Sequence, residues 1–179
     1  LAQWVAYDET EELQANQEHP VKSMRYKRIQ SQHSDRNTFF IPFKEALFQF
    51  TESEYERLKP LILEQDMLRI QEHVQQGSLT YEQLTLFYLY RIYRFETARD
   101  TYLNAIIALN PEVLEQARMR DQNRAQELSH PLYGMPILLK DNINALPMAT
   151  TVGEAAVKEK IHSDDAILVK RIKAKGALI

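Results

Sequence analysis

The sequence predicts an α/β protein in which a helix-rich N-terminal part is followed by the first elements of a sheet. Three observations predict this class. Only 4 of the 179 residues are glycine, and scarce glycine leaves few positions for tight turns and favours helices. Capped apolar segments of helical periodicity follow one another over residues 51–128. After residue 134 the pattern becomes an apolar run, an amphipathic helix and a second apolar run, an order typical of α/β proteins.

The first 38 residues are polar and show no periodicity, and we expect them to form an extended arm. Apolar and mostly aromatic side chains cluster directly after them. We interpret this cluster as a patch that docks the arm on the body of the protein, and a ligand groove is the alternative. The members of the cluster are Phe39, Phe40, Ile41, Phe43, Leu47, Phe48 and Phe50.

Capping signals mark two helix starts. Thr51 is followed by Glu54, and Thr80 by Gln83, with the spacing of a capping box. Pro60 is expected to end the first of these helices or to begin the next. A second apolar stripe lies between the two signals and is stopped by a glycine. It consists of Leu61, Met67, Leu68, Ile70 and Val74, with Gly77 as the stop.

Three further elements are predicted after residue 80. Residues 81–98 are apolar on nearly every side, which is the pattern of a buried helix. Asn110 and Pro111 are residue types preferred at the N-cap and at the first position of a helix, so a more polar helix is expected from there to about residue 128. Residues 135–139 (MPILL) form a short continuous apolar run, which predicts a fully buried strand.

The last predicted helix lies between residues 163 and 176. We expect Ser163, Asp164 and Asp165 to cap it, Gly176 to end it, and residues 177–179 to begin another strand. Because natural domains rarely end on the first residues of a buried strand, we expect the chain to be the N-terminal part of a longer protein. Its unpaired sheet edge would then favour self-association. The helix carries Leu168, Val169 and Ile172 on its inner face and Lys170, Arg171, Lys173 and Lys175 as solvated cations.

Composition excludes several classes of function. Lys and Arg number 22 against 25 Asp and Glu, and the net charge of -3 argues against a nucleic-acid binder. Cysteine is absent, the glycines are isolated, and no histidine pair has metal-ligand spacing, so we expect no cofactor, no metal and no phosphate-binding loop. No stretch of about 18 apolar residues occurs, and no signal peptide is visible. We therefore expect a soluble protein without a membrane span, in the cytoplasm rather than exported.

Lys140 has a placement that suggests chemistry. It directly follows the apolar run 135–139, at the C-terminal end of the predicted strand. Desolvation among apolar groups lowers the pKa of a lysine, and a neutral lysine can act as a base. The alternative is a lysine at the end of a strand that simply reaches solvent. The spacing alone does not decide between the two.

The segment around Lys140, PLYGMPILLKDNI at residues 131–143, resembles the catalytic-lysine segment of the amidase signature family. Later segments agree in order and spacing. TTVG at residues 150–153 resembles the Thr-Thr-x-Gly of the family. DA at residues 165–166 and KGA at residues 175–177 resemble its Asp-Ala and Gly-Ala helix and strand. The helices before residue 122 are similar to the first long helices of the family.

The resemblance covers residues 68–179, which we assign to the N-terminal part of an amidase domain. It leaves residues 1–67 as an arm with helices outside the family pattern. It implies the N-terminal portion of an α/β/α sandwich around a large mixed sheet. It also implies a hydrolase that cleaves a small-molecule carboxylic amide through a Ser–cis-Ser–Lys triad. Lys140 matches the lysine of that triad and would take a proton from the bridging serine, which activates the nucleophilic serine.

Two features depart from the family pattern. The family carries both serines in a Gly/Ser-rich stretch well downstream of the lysine, and no serine of this chain lies in such a context. We therefore expect the chain by itself to be inactive. Glu154 stands after Gly153, where serine is common in the family. The alternatives are a glutamine amidase subunit of an amidotransferase that supplies ammonia to charged tRNA, against which the long stretch before residue 68 argues, and a non-catalytic helical binding module.

Overall fold

The computed structural model of the chain describes residues 3–6, 8–26, 35–98, 100–127, 130–157 and 159–179. Helices dominate these ranges, as the scarcity of glycine predicts, and the described residues contain no strand longer than a single bridge. Three short 3₁₀ segments lie at Lys22–Arg25, Arg36–Phe43 and Ala155–Val157. The α-helices in chain order are α1 (Thr10–Ala15), α2 (Lys44–Gln49), α3 (Glu52–Ile62), α4 (Met67–Gln75), α5 (Tyr81–Thr97), α6 (Val113–Glu127) and α7 (Ile167–Lys173).

Local capping signals place the starts of α3 and α5. Thr80 Oγ1 accepts a hydrogen bond from the Gln83 N–H at 3.0 Å, and Gln83 Oε1 accepts one from the Thr80 N–H at 3.0 Å. The predicted capping box of α5 is therefore confirmed. At α3 only half of the box forms. Thr51 Oγ1 accepts from the Glu54 N–H, whereas the Glu54 carboxylate pairs with Arg57.

The expectation that Pro60 ends α3 or begins the next helix is wrong. The helix continues through Pro60 to Ile62. The proline lies in the last turn, so its missing N–H costs only one late hydrogen bond. The Leu63 N–H closes the end of the helix on the Lys59 carbonyl at 2.9 Å.

The apolar stripe of α4 is confirmed in its second half only. Ile70 and Val74 are buried, four residues apart on one face. Met67 and Leu68 belong to the first turn and remain 48% and 62% exposed. Leu68 lies two positions from Ile70, and this spacing turns it away from the buried face of the helix.

The larger of two hydrophobic clusters among the described residues extends from the 3₁₀ segment at residues 36–43 to Leu178, across the predicted boundary at residues 67 and 68. Helix α5 contacts α2, α3 and α6, and the ring of Tyr55 in α3 stacks on Phe87 with centroids 4.7 Å apart. The predicted burial of residues 81–98 is therefore confirmed on most of its faces. The division of the chain into residues 1–67 and 68–179 stays a prediction.

The arm before residue 39 is not extended throughout. It contains α1 and a 3₁₀ turn at Lys22–Arg25. No side chain caps α1, whose N-cap residue is Glu9, and Asp8 accepts a hydrogen bond from the Thr10 N–H at 3.0 Å just before the helix. The Asn37 side chain binds the backbone of Trp4. Its Oδ1 accepts a hydrogen bond from the Trp4 N–H at 3.0 Å, and its Nδ2 donates one to the Trp4 carbonyl. Residues 27–34, which include part of the polar arm, lie outside the described residues.

Four members of the aromatic cluster support its interpretation as a docking patch. The side chains of Phe40, Phe43, Leu47 and Phe50 are buried in the main core. Two others, Ile41 and Phe48, stay 66% and 77% exposed, because a short helix can bury only one of its faces.

The predicted fully buried strand at residues 135–139 is wrong in extent and in burial. The segment forms one parallel bridge, between Pro136 and Leu178. The Ile137 N–H donates to the Leu178 carbonyl at 2.8 Å, and the Leu178 N–H donates to the Met135 carbonyl at 2.9 Å. Among the described residues this segment has a neighbour on one side only, so Leu138 is 72% exposed. The mixed sheet is accordingly reduced to this contact in the described parts of the chain.

The predicted cap of α7 is also wrong. The N-cap position is Ala166, and no side chain caps the helix. Asp165 accepts instead from the Leu146 N–H at 2.7 Å and pairs with Lys173 at 2.9 Å, so Lys173 is not a freely solvated cation. On the apolar face Val169 is buried as expected, whereas Leu168 is 55% exposed.

Candidate active site

An open groove with a volume of about 1210 Å³ lies against α5. Its other walls are the loop at residues 101–110 and the segment at residues 135–153. Burial raises the pKa of the Tyr88 phenol in this groove, so the hydroxyl stays protonated at neutral pH. Most of the lining is apolar and includes Leu89, Ile92, Phe95, Ile106, Met148 and Val152.

Lys140 lines the groove and is exposed. Its carbonyl accepts a hydrogen bond from the Ile143 N–H at 3.1 Å, which turns the chain directly after the lysine. Within the described ranges its amine has no hydrogen-bond or ion-pair partner. The desolvation expected at the end of a buried strand is therefore not present here, because Leu138 and Lys140 both reach solvent on the open side of the groove.

The carboxylate of Asp141, next to Lys140, is the most connected polar group of this region. It accepts from the Thr151 N–H at 3.0 Å through Oδ1 and at 3.2 Å through Oδ2. It also accepts from the Thr151 hydroxyl, and more weakly from the Gly153 N–H at 3.4 Å. The Thr151 side chain is 2% exposed. These contacts join the lysine segment to the turn at residues 151–153, ten residues farther along the chain.

The turn that surrounds the Asp141 carboxylate holds an unusual backbone. Val152 has φ +50, a left-handed conformation that is rare for a β-branched residue. Its N–H donates to the Asp141 carbonyl at 2.8 Å, and its side chain is 61% exposed in the groove. Glu154, at the position where the family commonly has serine, closes the turn by donating its N–H to the Thr151 carbonyl at 2.8 Å.

Helix α7 and its N-cap residue are hydrogen-bonded to residues 144–146, in the segment that forms one wall of the groove. The Lys173 amine donates to the Leu146 carbonyl at 2.9 Å and pairs with Asp165, which holds the chain a few residues after Lys140. The Ala166 N–H donates to the Asn144 carbonyl at 2.9 Å. The ion pair is partly buried, which makes it a fixed support rather than a surface contact.

A buried ion pair stabilises the wall of the groove that α5 and the loop at residues 101–110 form. Arg36 pairs with Glu96 of α5 at 3.2 Å and donates to the Ile106 carbonyl. The other carboxylate oxygen of Glu96 accepts from the Ala105 N–H at 3.1 Å. Glu96, Ala105 and Ile106 line the groove, so Arg36 connects the N-terminal part of the chain to it.

Sequence analysis found Lys140 but gave no role to Asp141, Thr151 or Glu96. The first two belong to segments that resemble the family, and their contact could have been suspected from the adjacency of an acid to the lysine. Glu96 had no signal, because its partner Arg36 is 60 residues away. In the described ranges no cluster of His, Asp and Glu could hold a metal ion, and no serine lines the groove. None of the described helices is long and apolar enough to cross a membrane.

Comparison with known proteins finds one family. The family model described as Amidase matches residues 83–179, which is more than half of the chain. A protein of Schizosaccharomyces pombe that bears the name of an amidase is 34% identical over 113 residues, covering 62% of this chain and 19% of that protein. A glutamyl-tRNA(Gln) amidotransferase subunit of Exiguobacterium sibiricum is 35% identical over 79 residues, covering 44% and 16%.

A solved structure shares the fold. The crystal structure of an amidase family protein from Bacillus anthracis superposes with a TM-score of 0.75 at 29% identity. The superposition covers 85% of this chain and 30% of that one. The chain therefore spans less than a third of the solved structure, and at most a fifth of the two curated relatives named above.

Proposed function

The chain belongs to the amidase family, and on that basis we propose that it is the lysine-bearing part of a hydrolase of carboxylic amides. One observation carries the proposal. Lys140 lines the groove, within the segment 131–143 that resembles the catalytic-lysine segment and within the residues that the family model matches. An amine without a partner among the described residues is free to exchange a proton with a neighbouring hydroxyl.

The proposed chemistry moves one proton through two serines. Neutral Lys140 takes a proton from a bridging serine, which takes the proton of the nucleophilic serine as that oxygen attacks the amide carbon. The C–N bond breaks, the proton passes to the leaving nitrogen, and ammonia or an amine departs. Water then hydrolyses the acyl ester and restores the serine. No serine of this chain stands in a Gly/Ser-rich stretch of the kind that carries the two serines in the family, so the chain alone is proposed to be inactive.

The finer architecture is proposed on the same basis. The parallel contact of residues 135–137 with Leu178 would be the start of a mixed sheet in an α/β/α sandwich. Strands added beside it would cover the exposed Leu138 and would remove Lys140 from bulk water. This covering supplies the desolvation that a neutral lysine needs and that the groove alone does not provide.

A second candidate is supported by similarity to amidotransferase subunits. Under it, the amide would be that of glutamine, and the released ammonia would be transferred to charged tRNA. The same Lys140 chemistry serves both candidates, because both break a carboxamide C–N bond. Ammonia release from glutamine alone, without release from other amides, would select this candidate over a general amidase.

The test uses the natural polypeptide that contains these residues together with the two serines. Lys140→Ala should lower kcat for amine release from simple amides by about 10²–10⁴-fold, the usual loss for an acid–base group. Lys160→Ala, which removes an exposed lysine outside the groove lining, is the matched control and should leave kcat unchanged. Equal activity of the two variants would refute the proposal and would favour a non-catalytic binding module.

A further inference from the structure

We propose that Asp141 is a positioning residue for Lys140 and that it acts through the turn at residues 151–153. The proposal rests on the proposed function, because it concerns the geometry of the same lysine. It assigns a role to a carboxylate that the proton transfer itself does not use. It also assigns Thr151 as the group through which Asp141 acts.

The Asp141 carboxylate directs its hydrogen bonds at the turn and not at Lys140. Both of its oxygens accept from Thr151, and one also accepts from Gly153. A carboxylate that accepts several backbone N–H groups is held in one orientation. The negative charge of Asp141 is therefore bound by the turn at residues 151–153. Among the described residues, no carboxylate pairs with the amine of the adjacent Lys140. An ion pair there would favour the charged lysine and oppose its use as a base.

The turn at residues 151–153 has a strained backbone. A β-branched residue at positive φ, such as Val152, is strained and persists only where its surroundings impose that conformation. The anchors that impose it are the Asp141 carbonyl, which accepts from the Val152 N–H, and the carboxylate, which holds Thr151. Loss of the carboxylate would let the turn relax toward negative φ. Residue 141 would then lose its fixed orientation, and so would the lysine bonded to it.

The Thr151 hydroxyl takes part in two hydrogen bonds that hold the turn at residues 151–153, and its surroundings leave no space for a larger side chain. The side chain is 2% exposed and donates its proton to Asp141 while accepting from the Gly153 N–H at 3.1 Å. A serine can make both bonds, whereas a valine of similar shape can make neither. Thr151 thus offers a conservative variant that keeps the contact and a matched one that removes it.

The experiment measures kcat and KM for amide hydrolysis in the natural polypeptide that contains the serines. Asp141→Asn and Thr151→Val should each lower kcat by about 10- to 100-fold with KM changed less than about twofold, as expected when a reacting group is displaced. Thr151→Ser should keep kcat within about threefold of the unmodified protein. Thr150→Val is the control, since the neighbouring threonine does not line the groove, and should keep normal kcat.

A mutant cycle with Lys140→Ala separates positioning from a general structural effect. If Asp141 acts through the lysine, Asp141→Asn in the Lys140→Ala background should change the residual rate by less than about twofold. A further loss as large as in the unmodified protein would overturn the proposal, as would normal kcat in Asp141→Asn or equal kcat in Thr151→Ser and Thr151→Val. If Asp141→Asn does not fold, the Thr151 pair decides. Normal kcat in Lys140→Ala would instead refute the proposed function.

Discussion

At the scale of single residues, two glycines allow aromatic rings to occupy the space that a Cβ would need. A Cβ at Gly134 would meet the ring of Tyr81, and one at Gly176 would meet the ring of Tyr133. The two tyrosine rings lie edge to face with centroids 5.6 Å apart and are buried. Of the two, only Gly176 is predicted from its type, as the end of a helix, because the ring contacts join residues far apart in the chain and carry no local signal.

Replacement of Gly134 tests this close approach. Gly134→Ala should lower the free energy of unfolding by about 1–3 kcal/mol through overpacking, in addition to about 1–2 kcal/mol for an alanine at positive φ. Gly77→Ala is the matched control, because Gly77 has nearly the same φ but no atom within 4 Å of the added carbon. Urea unfolding of both variants gives the comparison. Equal losses would show that the Tyr81 ring moves aside without cost.

At the scale of elements, the parts that could be predicted are those whose signals lie within a few residues. The capping box at Thr80 and the long buried helix α5 have local causes. The helix predicted from Asn110 and Pro111 begins instead at Val113, because these residues form the turn before it, in which Asn110 Oδ1 accepts from the Glu112 N–H at 3.0 Å. The missing cap of α7 could not be predicted, because Asp165 forms an ion pair with Lys173 and accepts a hydrogen bond from the Leu146 N–H. These contacts with Lys173 and Leu146 outweigh the local preference of Asp165 for a capping position.

The attachment of the 3₁₀ segment at residues 36–43 to α5 is also a distant contact. Arg36→Met should lower the free energy of unfolding by about 3–5 kcal/mol, because it leaves the Glu96 carboxylate buried without its cation. The exposed pair of Arg57 with Glu54 is the control, and Arg57→Met should cost less than about 1 kcal/mol. Thermal or urea unfolding measures both. A loss for Arg36→Met no larger than for Arg57→Met would show that the pair does not hold the segment.

At the scale of the whole molecule, the family could be predicted from the sequence, whereas the fully buried strand predicted at residues 135–139 is wrong in extent. The catalytic role of Lys140 stays a prediction. A strand is stabilised by neighbours on both sides, and residues 135–139 have one described neighbour, Leu178. The groove that faces Lys140 is therefore wide, apolar and open. Self-association of the chain through this face stays a prediction. The segment around Lys140 could be recognised because the resemblance rests on residue types in one contiguous stretch, residues 131–143.

The central claim is that Lys140 transfers a proton and does not merely supply a positive charge. Comparison of kcat for Lys140→Arg and Lys140→Ala, in the natural polypeptide that contains the serines, tests it most directly. Arginine keeps the charge but stays protonated at any pH that the protein tolerates. We predict that both variants lose about 10²–10⁴-fold in kcat. Near-normal turnover in Lys140→Arg would contradict the account, because a charge alone would then be sufficient.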